Sequence, residues 1–278
     1  MMDWVEYICK LNEKVRQQRP LILHITNLVV TNISANITLA AGATPVMSRA
    51  VEDATAMAKN AQALVLNCGT LTSTSAAVML AAGKAANQLN IPVVIDPVAV
   101  GSTPFRTRMI LETLNQVGCT IIRANSSELG FLAGKKVRPR GVDARPENTA
   151  VADLEQDRIQ VATKVAQKYK AIAALTGRSD YVSDGNKAVR IDNGHPYLTA
   201  VTGTGCMATS VIAAWAATAA DPFSATAGAL AAYGVAAEIA AENASGPGTF
   251  QAHLFDALYN LRQKQLQTRL RIYDYREV

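Results

Sequence analysis

Aromatic side chains are scarce, with 2 Trp, 8 Tyr and 5 Phe in 278 residues. Binding of single-stranded nucleic acid needs aromatic rings interleaved with a continuous basic face, and that combination is missing. Lys135, Lys136, Arg138, Arg140 and Arg145 have only Phe131 nearby, while Arg262, Lys264, Arg269 and Arg271 lie beside Tyr273 and Tyr275 in a terminal tail. Both groups read as solvated surface, and no nucleic-acid partner is expected. The net charge of +5 leaves an anionic small substrate open. Cysteine and histidine are also few: 4 Cys without a CxxC pair and 3 His argue against structural zinc. Cys68 and Cys119 border apolar runs and read as small buried hydrophobes. The first residues carry acids where a secretory leader needs bases ahead of an apolar core. A membrane-like apolar run is missing outside 207–220, which is short and rich in small residues and reads as a buried helix. The expectation is a soluble, cytoplasmic protein with no membrane partner.

Apolar residues, by contrast, make up 49% of the chain, much of it Ala and Val, and only 18% is charged. Trp4, Val5, Ile8, Leu11 and Val15 recur along one face of a helix. Short apolar strands are expected at 20–26, 45–47, 63–67, 92–96, 120–123 and 171–175. Helical patterns fall between them at 31–41, 51–60, 74–89, 107–117, 126–133 and 154–169. Uninterrupted apolar strands alternating with helices indicate a parallel sheet covered on both faces. Asp184-Gly185-Asn186 between two strand-like runs predicts a hairpin. From Cys206 onward the pattern is helical, at 206–219, 222–242 and about 249–264, with Asp221-Pro222 as cap and first-turn pair. Residues 137–150, with two prolines and several charges, read as an exposed loop. No repeat or linker divides the chain. The expected fold is α/β, a single domain over 1–278 with a mostly parallel central sheet flanked by helices on both faces.

In such a sheet, ligands bind beyond the carboxyl ends of the strands. The polar residues found there are Thr26 and Asn27, Ser48 and Arg49, Asn67 to Thr70, Asp96 with the loop to Gly101, Asn125 to Glu128, and Thr176-Gly177. Each is ordinary loop chemistry when taken singly, but all fall on one edge. The sharpest element is Thr202-Gly203-Thr204-Gly205-Cys206, directly before a long helix of small residues. Glycine lets backbone approach a ligand closely, and the free N–H groups of a helix start suit a phosphate. A tight strand-to-helix turn would use the same residues. It is not a Walker A loop, since no Lys follows the second glycine, and Thr209 or Ser210 stands where G-x-G-x-x-G needs a third glycine.

Asp96-Pro97-Val98, Asn125-x-x-Glu128, Thr176-Gly177 and Gly203-Thr204-Gly205-Cys206 together resemble the ribokinase-like kinases. More narrowly the chain resembles the hydroxyethylthiazole kinases of thiamine biosynthesis. His24-Ile25-Thr26-Asn27, Asn32 and Pro45-Val46-Met47-Ser48 extend that likeness over roughly 12–262. The resemblance implies a ribokinase-like fold and Mg²⁺ held near the phosphates by Asp96 and Glu128, partly through water. It places Arg123 and Thr176 on the ATP phosphates, and Met47 and Gly203 on the thiazole, with Asn27 lining the same pocket. It also implies a homotrimer with active sites between subunits, so that Met47 and Cys206 of one site come from different chains. Sugar kinases of this fold carry an Asp base where Cys206 stands, and the thiazole kinases commonly carry Cys there. A thiol at a helix N-terminus is expected to have a lowered pKa, and Cys206 is either base or orienter of the alcohol.

The implied reaction is phosphorylation by ATP, with Mg²⁺, of the primary hydroxyl of 4-methyl-5-(2-hydroxyethyl)thiazole. The alternatives are a kinase of the same fold acting on hydroxymethylpyrimidine or pyridoxal, a dehydratase of hydrated nicotinamide nucleotides, and a nucleotide sensor without turnover.

Overall fold

The computed structural model describes residues 2–135 and 151–275. Most of the first basic group and the segment 137–150 lie outside the described residues.

Nine strands form one sheet in the order β2-β1-β3-β4-β5-β6-β7-β8-β9. The first six are β1 (Leu21–Ile25), β2 (Thr44–Met47), β3 (Ala63–Asn67), β4 (Val93–Asp96), β5 (Ile121–Asn125) and β6 (Ile172–Thr176), and all their pairings are parallel. The last three, β7 (Asp180–Ser183), β8 (Ala188–Ile191) and β9 (Ile272–Tyr275), run antiparallel. The hairpin at Asp184-Gly185-Asn186 thus joins β7 to β8. Gly185 takes φ +96° there, where an L side chain is strained.

Helices cover both faces. On one lie α1 (Trp4–Gln18) and α2 (Thr31–Ala40), with α8 (Thr204–Ala216), α9 (Pro222–Asn243), α10 (Pro247–Tyr259) and α11 (Gln263–Arg269). On the other lie α3 (Val51–Ala58), α4 (Ser73–Gln88), α5 (Pro104–Gln116), α6 (Ser126–Leu132) and α7 (Val151–Tyr169). Each strand divides its side chains between the two layers by simple alternation. Ala63 and Val65 join the α8 side, while Leu64 and Leu66 join the α4 side. Helix α9 is apolar all round because it is buried all round, between α8, α10 and α1. It is long and apolar enough to cross a membrane by length and composition, and 89% of that window is buried inside the fold. The 207–220 stretch singled out in the sequence ends at Ala216 and is buried as expected. Asp221 caps α9 by accepting from the N–H groups of Phe223 and Ser224, each at 3.2 Å, a cap worth about 1 kcal/mol.

One expectation for the C-terminal part fails. The single helix at 249–264 is broken at Asn260–Arg262, because the Gln265 side chain accepts from the Arg262 N–H at 2.7 Å and starts α11 afresh. Beyond the predicted helices, Ile272–Tyr275 forms β9, which pairs with β8. Tyr275 Oη donates to Glu155 Oε1 at 2.6 Å, and Arg190 lies 4.9 Å over the Tyr273 ring. Half of the second basic group is compensated: Arg269 makes a two-bond pair with Glu242, and Arg271 pairs with Glu238.

Candidate active site

Alternation fixes which strand-end residues meet. Val65, Val94, Ile121 and Ala174 belong to the core beneath α8. Two residues further along the same strands stand Asn67, Asp96, Arg123 and Thr176, which therefore reach the carboxyl edge on that same face. The start of α8 lies over them.

These side chains are joined by hydrogen bonds. Asp96, 1% exposed, accepts at Oδ2 from Asn67 Nδ2 at 3.0 Å, from Thr209 Oγ1 at 3.1 Å and from Arg123 Nη1 at 3.4 Å. Arg123 Nη2 donates to Thr176 Oγ1 at 2.5 Å. Asn67 Nδ2 also donates to Cys206 Sγ at 3.1 Å, and its Oδ1 accepts from Asn27 Nδ2 at 2.7 Å. Asp96 Oδ1 and Arg123 Nε are buried without a protein partner. An orphaned carboxylate oxygen and an orphaned guanidinium N–H in one cluster mark a place built to receive something polar.

The glycine turn has two separate steric reasons. Gly203, the N-cap of α8, sits at φ +85°, and a Cβ there would come within 2.4 Å of Ile33 Cδ1 and 2.7 Å of Val30 Cγ1. Gly205 lets Arg123 pass: its Cβ would stand 2.6 Å from Nη1 and 2.7 Å from Nη2. With no side chain to cap the helix, the first-turn N–H groups of α8 have no side-chain acceptor. Gly203 thereby brings the segment after Asn27 against the start of α8.

Glu128 is placed differently from Asp96. It is the third residue of α6, whose cap is Asn125, and the two form a capping box: Glu128 N–H donates to Asn125 Oδ1 at 2.9 Å, and Asn125 N–H donates to Glu128 Oε2 at 3.0 Å. Its other oxygen, Oε1, accepts from Ala99 N–H at 2.7 Å. Ala99 holds φ +58°, an unfavourable conformation for a residue with a Cβ, so Glu128 pins the loop after Asp96. The Asn-x-x-Glu spacing has this local cause.

Burial pushes Asp96 above the usual carboxylate range, against the pull of Arg123 and Thr209. Burial, and then the neighbouring Asp96, push Glu128 up as well. Burial would lower Arg123, but Asp96 and Glu128 hold it above its ordinary value. For Cys206 the sequence reading left base and orienter open. Burial and the Asp96 charge push its thiol up to about 12, overriding the helix N-terminus and leaving a neutral thiol at physiological pH.

Met47 stands apart. It ends edge strand β2, half-buried, opposite His24 of β1, and among the described residues no hydrogen bond ties it to the cluster. With β1 between β2 and β3, it aligns through His24 with Val65, two strand spacings across and two residues short of Asn67, roughly 12 Å away. Sequence reading left three residues out of the site, Thr209 on Asp96 among them. Asn67 looked like ordinary loop chemistry, although it ends β3 directly opposite Asp96 of β4 in the parallel register. Asp180 opens β7 and accepts from Gly177 N–H at 2.9 Å, and burial raises it to about 7.

A family model described as the hydroxyethylthiazole kinase family matches residues 12–264. The chain belongs to the hydroxyethylthiazole kinase family. A hydroxyethylthiazole kinase of Moorella thermoacetica is 48% identical over 271 residues, covering 98% of this chain and 99% of that protein. The solved structure of a hydroxyethylthiazole kinase from Pyrococcus horikoshii OT3 superposes with a TM-score of 0.88 at 37% identity, covering 97% of this chain and 99% of that one. The ADP complex of Bacillus subtilis pyridoxal kinase shares the fold alone, with a TM-score of 0.58 at 16% identity over 80% of this chain and 92% of that one.

Proposed function

We propose that this chain transfers the γ-phosphoryl group of ATP to the primary hydroxyl of 4-methyl-5-(2-hydroxyethyl)thiazole, supplying the thiazole phosphate for thiamine synthesis or salvage. The observation that carries this is the row Asn67, Asp96, Arg123 and Thr176 beneath an uncapped helix start bearing Cys206. Family membership adds the acceptor. The whole chain is read as one catalytic domain, working in the cytoplasm where ATP is.

Arg123 and Thr176 receive the ATP phosphates; the guanidinium can hold two oxygens at once, and its buried Nε lacks a partner. Asp96 fits a metal position, because its Oδ1 is buried and bare. Among the described residues no three His, Cys, Asp or Glu gather as a metal cage. That suits Mg²⁺, which takes one or two carboxylates, substrate oxygens and water. Glu128, with an N–H on each oxygen, would reach such an ion through water. When bound, Mg²⁺ neutralises charge on the triphosphate. The first-turn N–H groups of α8 stabilise charge on the transferred group. Cys206, a neutral thiol that accepts from Asn67, orients the alcohol. Met47 offers a polarisable surface to the sulfur-containing ring, with Gly203 and Asn27 completing the pocket.

Incubation with Mg²⁺–ATP and an equimolar mixture of the thiazole alcohol, hydroxymethylpyrimidine and pyridoxal tests the acceptor. Mass spectrometry should show the thiazole phosphate as main product. Preferential phosphorylation of either competitor would overturn the assignment, and dehydration in a parallel incubation with hydrated nicotinamide nucleotide, without any phosphorylated alcohol in the first, would move it to another class.

The same reading includes a homotrimer with the pocket shared between chains. Its support is family resemblance, the exposed Leu28 and Val29 (64% and 61%) beside Asn27, and the open edge strand that carries Met47. Mixing a Met47→Ala variant with a Cys206→Ala variant, unfolded and refolded together, should yield more activity than either preparation alone, from sites holding both native residues. A fully active monomer in sedimentation would refute the shared pocket.

A further inference from the structure

We propose that Asn67 is the positioning residue of this site, one amide that holds Asn27, Cys206 and Asp96 at fixed separations and so sets the acceptor alcohol against the phosphate end. It rests on the reaction proposed above. Asn67 is 1% exposed. An Asn amide has two N–H donors and room for two acceptor contacts, and all four are used. Nδ2 donates to Asp96 Oδ2 at 3.0 Å and Cys206 Sγ at 3.1 Å. Oδ1 accepts from Asn27 Nδ2 at 2.7 Å and from Gly69 N–H at 3.0 Å.

The amide cannot be turned over. A flip would set its oxygen against the Asp96 carboxylate and its NH₂ against the Gly69 N–H, replacing attractions with repulsions. The orientation is therefore fixed by charge, and it fixes two neighbours in turn. Cys206 Sγ is held as an acceptor. Asn27 has its Nδ2 committed to Asn67 and its Oδ1 committed to Val29 N–H at 2.9 Å, so the loop after β1 is set by the same amide. Gly69 is part of this device: a Cβ there would stand 2.3 Å from Asn27 Nδ2. No other described side chain bonds to all three of Asn27, Asp96 and Cys206.

The proposal separates donor chemistry from shape. Asn67→Asp keeps the shape but replaces a donor with a carboxylate beside Asp96 Oδ2. Asn67→Ala removes the amide without adding charge. For a merely space-filling residue the isosteric Asp would be the milder change; for a positioning donor it is the worse one. We expect kcat to fall about 10- to 100-fold in Asn67→Ala, the cost of hydrogen bonds to charged and buried partners, and at least about tenfold further in Asn67→Asp.

A double-mutant cycle with Cys206→Ala shows whether Asn67 acts through the thiol. The double variant should be no slower than the slower single variant, within about threefold, because coupled residues are not additive. Gly69→Ala strikes the Asn27 arm hardest, its Cβ standing 2.3 Å from Asn27 Nδ2 against 3.0 Å from Asn67 Oδ1, and should raise KM for the alcohol about tenfold while kcat falls less than in Asn67→Ala. Near-UV circular dichroism and melting confirm that each variant is folded; should an Asn67 variant fail to fold, the Gly69→Ala KM-against-kcat split decides. Strict additivity with Cys206→Ala, an Asn67→Asp enzyme faster than Asn67→Ala, or an unchanged alcohol KM in Gly69→Ala would each overturn the proposal. If wild type phosphorylates a different alcohol, the same cycle is read with that alcohol, and the acceptor assignment falls without Asn67 falling with it.

Discussion

Asp96→Asn lowers kcat by about 10³-fold while the protein stays folded, the larger end of what loss of one preorganised charge costs. The substitution keeps the side-chain shape but removes the charge, and its NH₂ can face donors that now have no acceptor. Asp96 Oδ2 currently satisfies Asn67, Thr209 and Arg123, and its bare Oδ1 is the position assigned to the metal. Asp96→Ala is a poorer test, because it strands the nearly buried Arg123 without its counter-ion. Breaking a buried pair in this way costs about 3–5 kcal/mol of stability. Glu128→Gln behaves differently. Its oxygens are engaged by Ala99 and Asn125, so the change loosens the loop that carries Asp96 and weakens a water-mediated contact. Its turnover should fall about tenfold, within the range of one lost hydrogen bond to a charged group, and its Mg²⁺ requirement should rise. Mg²⁺ titrations of turnover check both variants. Wild-type titration and turnover in Glu128→Gln would remove that residue from the metal account.

Gly205→Ala produces the second large loss. The new Cβ would lie 2.6 and 2.7 Å from the two terminal nitrogens of Arg123, distances that no real contact tolerates. Arg123 has little room to yield: it is 11% exposed and tied to Asp96 and Thr176. The guanidinium must leave at least one of those partners and, with it, the position assigned to the phosphates. KM for ATP should rise about tenfold and kcat fall about 10²-fold, with KM for the alcohol nearly unchanged. Steady-state kinetics with each substrate varied in turn measures this. Unchanged ATP parameters would show that Arg123 does not contact the phosphates.

Much of this arrangement is legible in the sequence. Uninterrupted apolar runs at 63–67, 92–96 and 171–175 mark strands buried on both faces, and their polar ends mark the ligand edge. The helix at 126–133 is legible too, because Asn125 and Glu128 are a cap and its third residue. What local pattern hides is pairing over distance. Ile272–Tyr275 becomes a strand only because β8 is there to receive it, 81 residues after Ile191 by the register Ile191↔Ile272. The break before α11 is set by one Gln side chain inside a pattern that otherwise reads as continuous helix. Asn67 was visible among the strand-end residues, but three of its four bonds reach distant segments, at Asn27, Asp96 and Cys206, and only the fold brings those together. The state of the Cys206 thiol stayed open in the sequence for a similar reason. A helix N-terminus is local and can be read from sequence, whereas burial beside Asp96 is tertiary and outweighs it.

A neutral thiol bears directly on how the reaction is driven. A loose phosphoryl-transfer transition state needs little proton removal before the phosphorus–oxygen bond breaks, so positioning and charge stabilisation should carry the rate. The decisive measurement is kcat of Cys206→Ala at saturating ATP and thiazole alcohol, with folding verified by circular dichroism and alcohol binding by calorimetry. An obligatory general base contributes on the order of 10²–10⁴-fold. The account predicts that Cys206→Ala retains a readily measured rate, with a loss below about 10²-fold. A folded, alcohol-binding Cys206→Ala without turnover would contradict it and make the thiol the base.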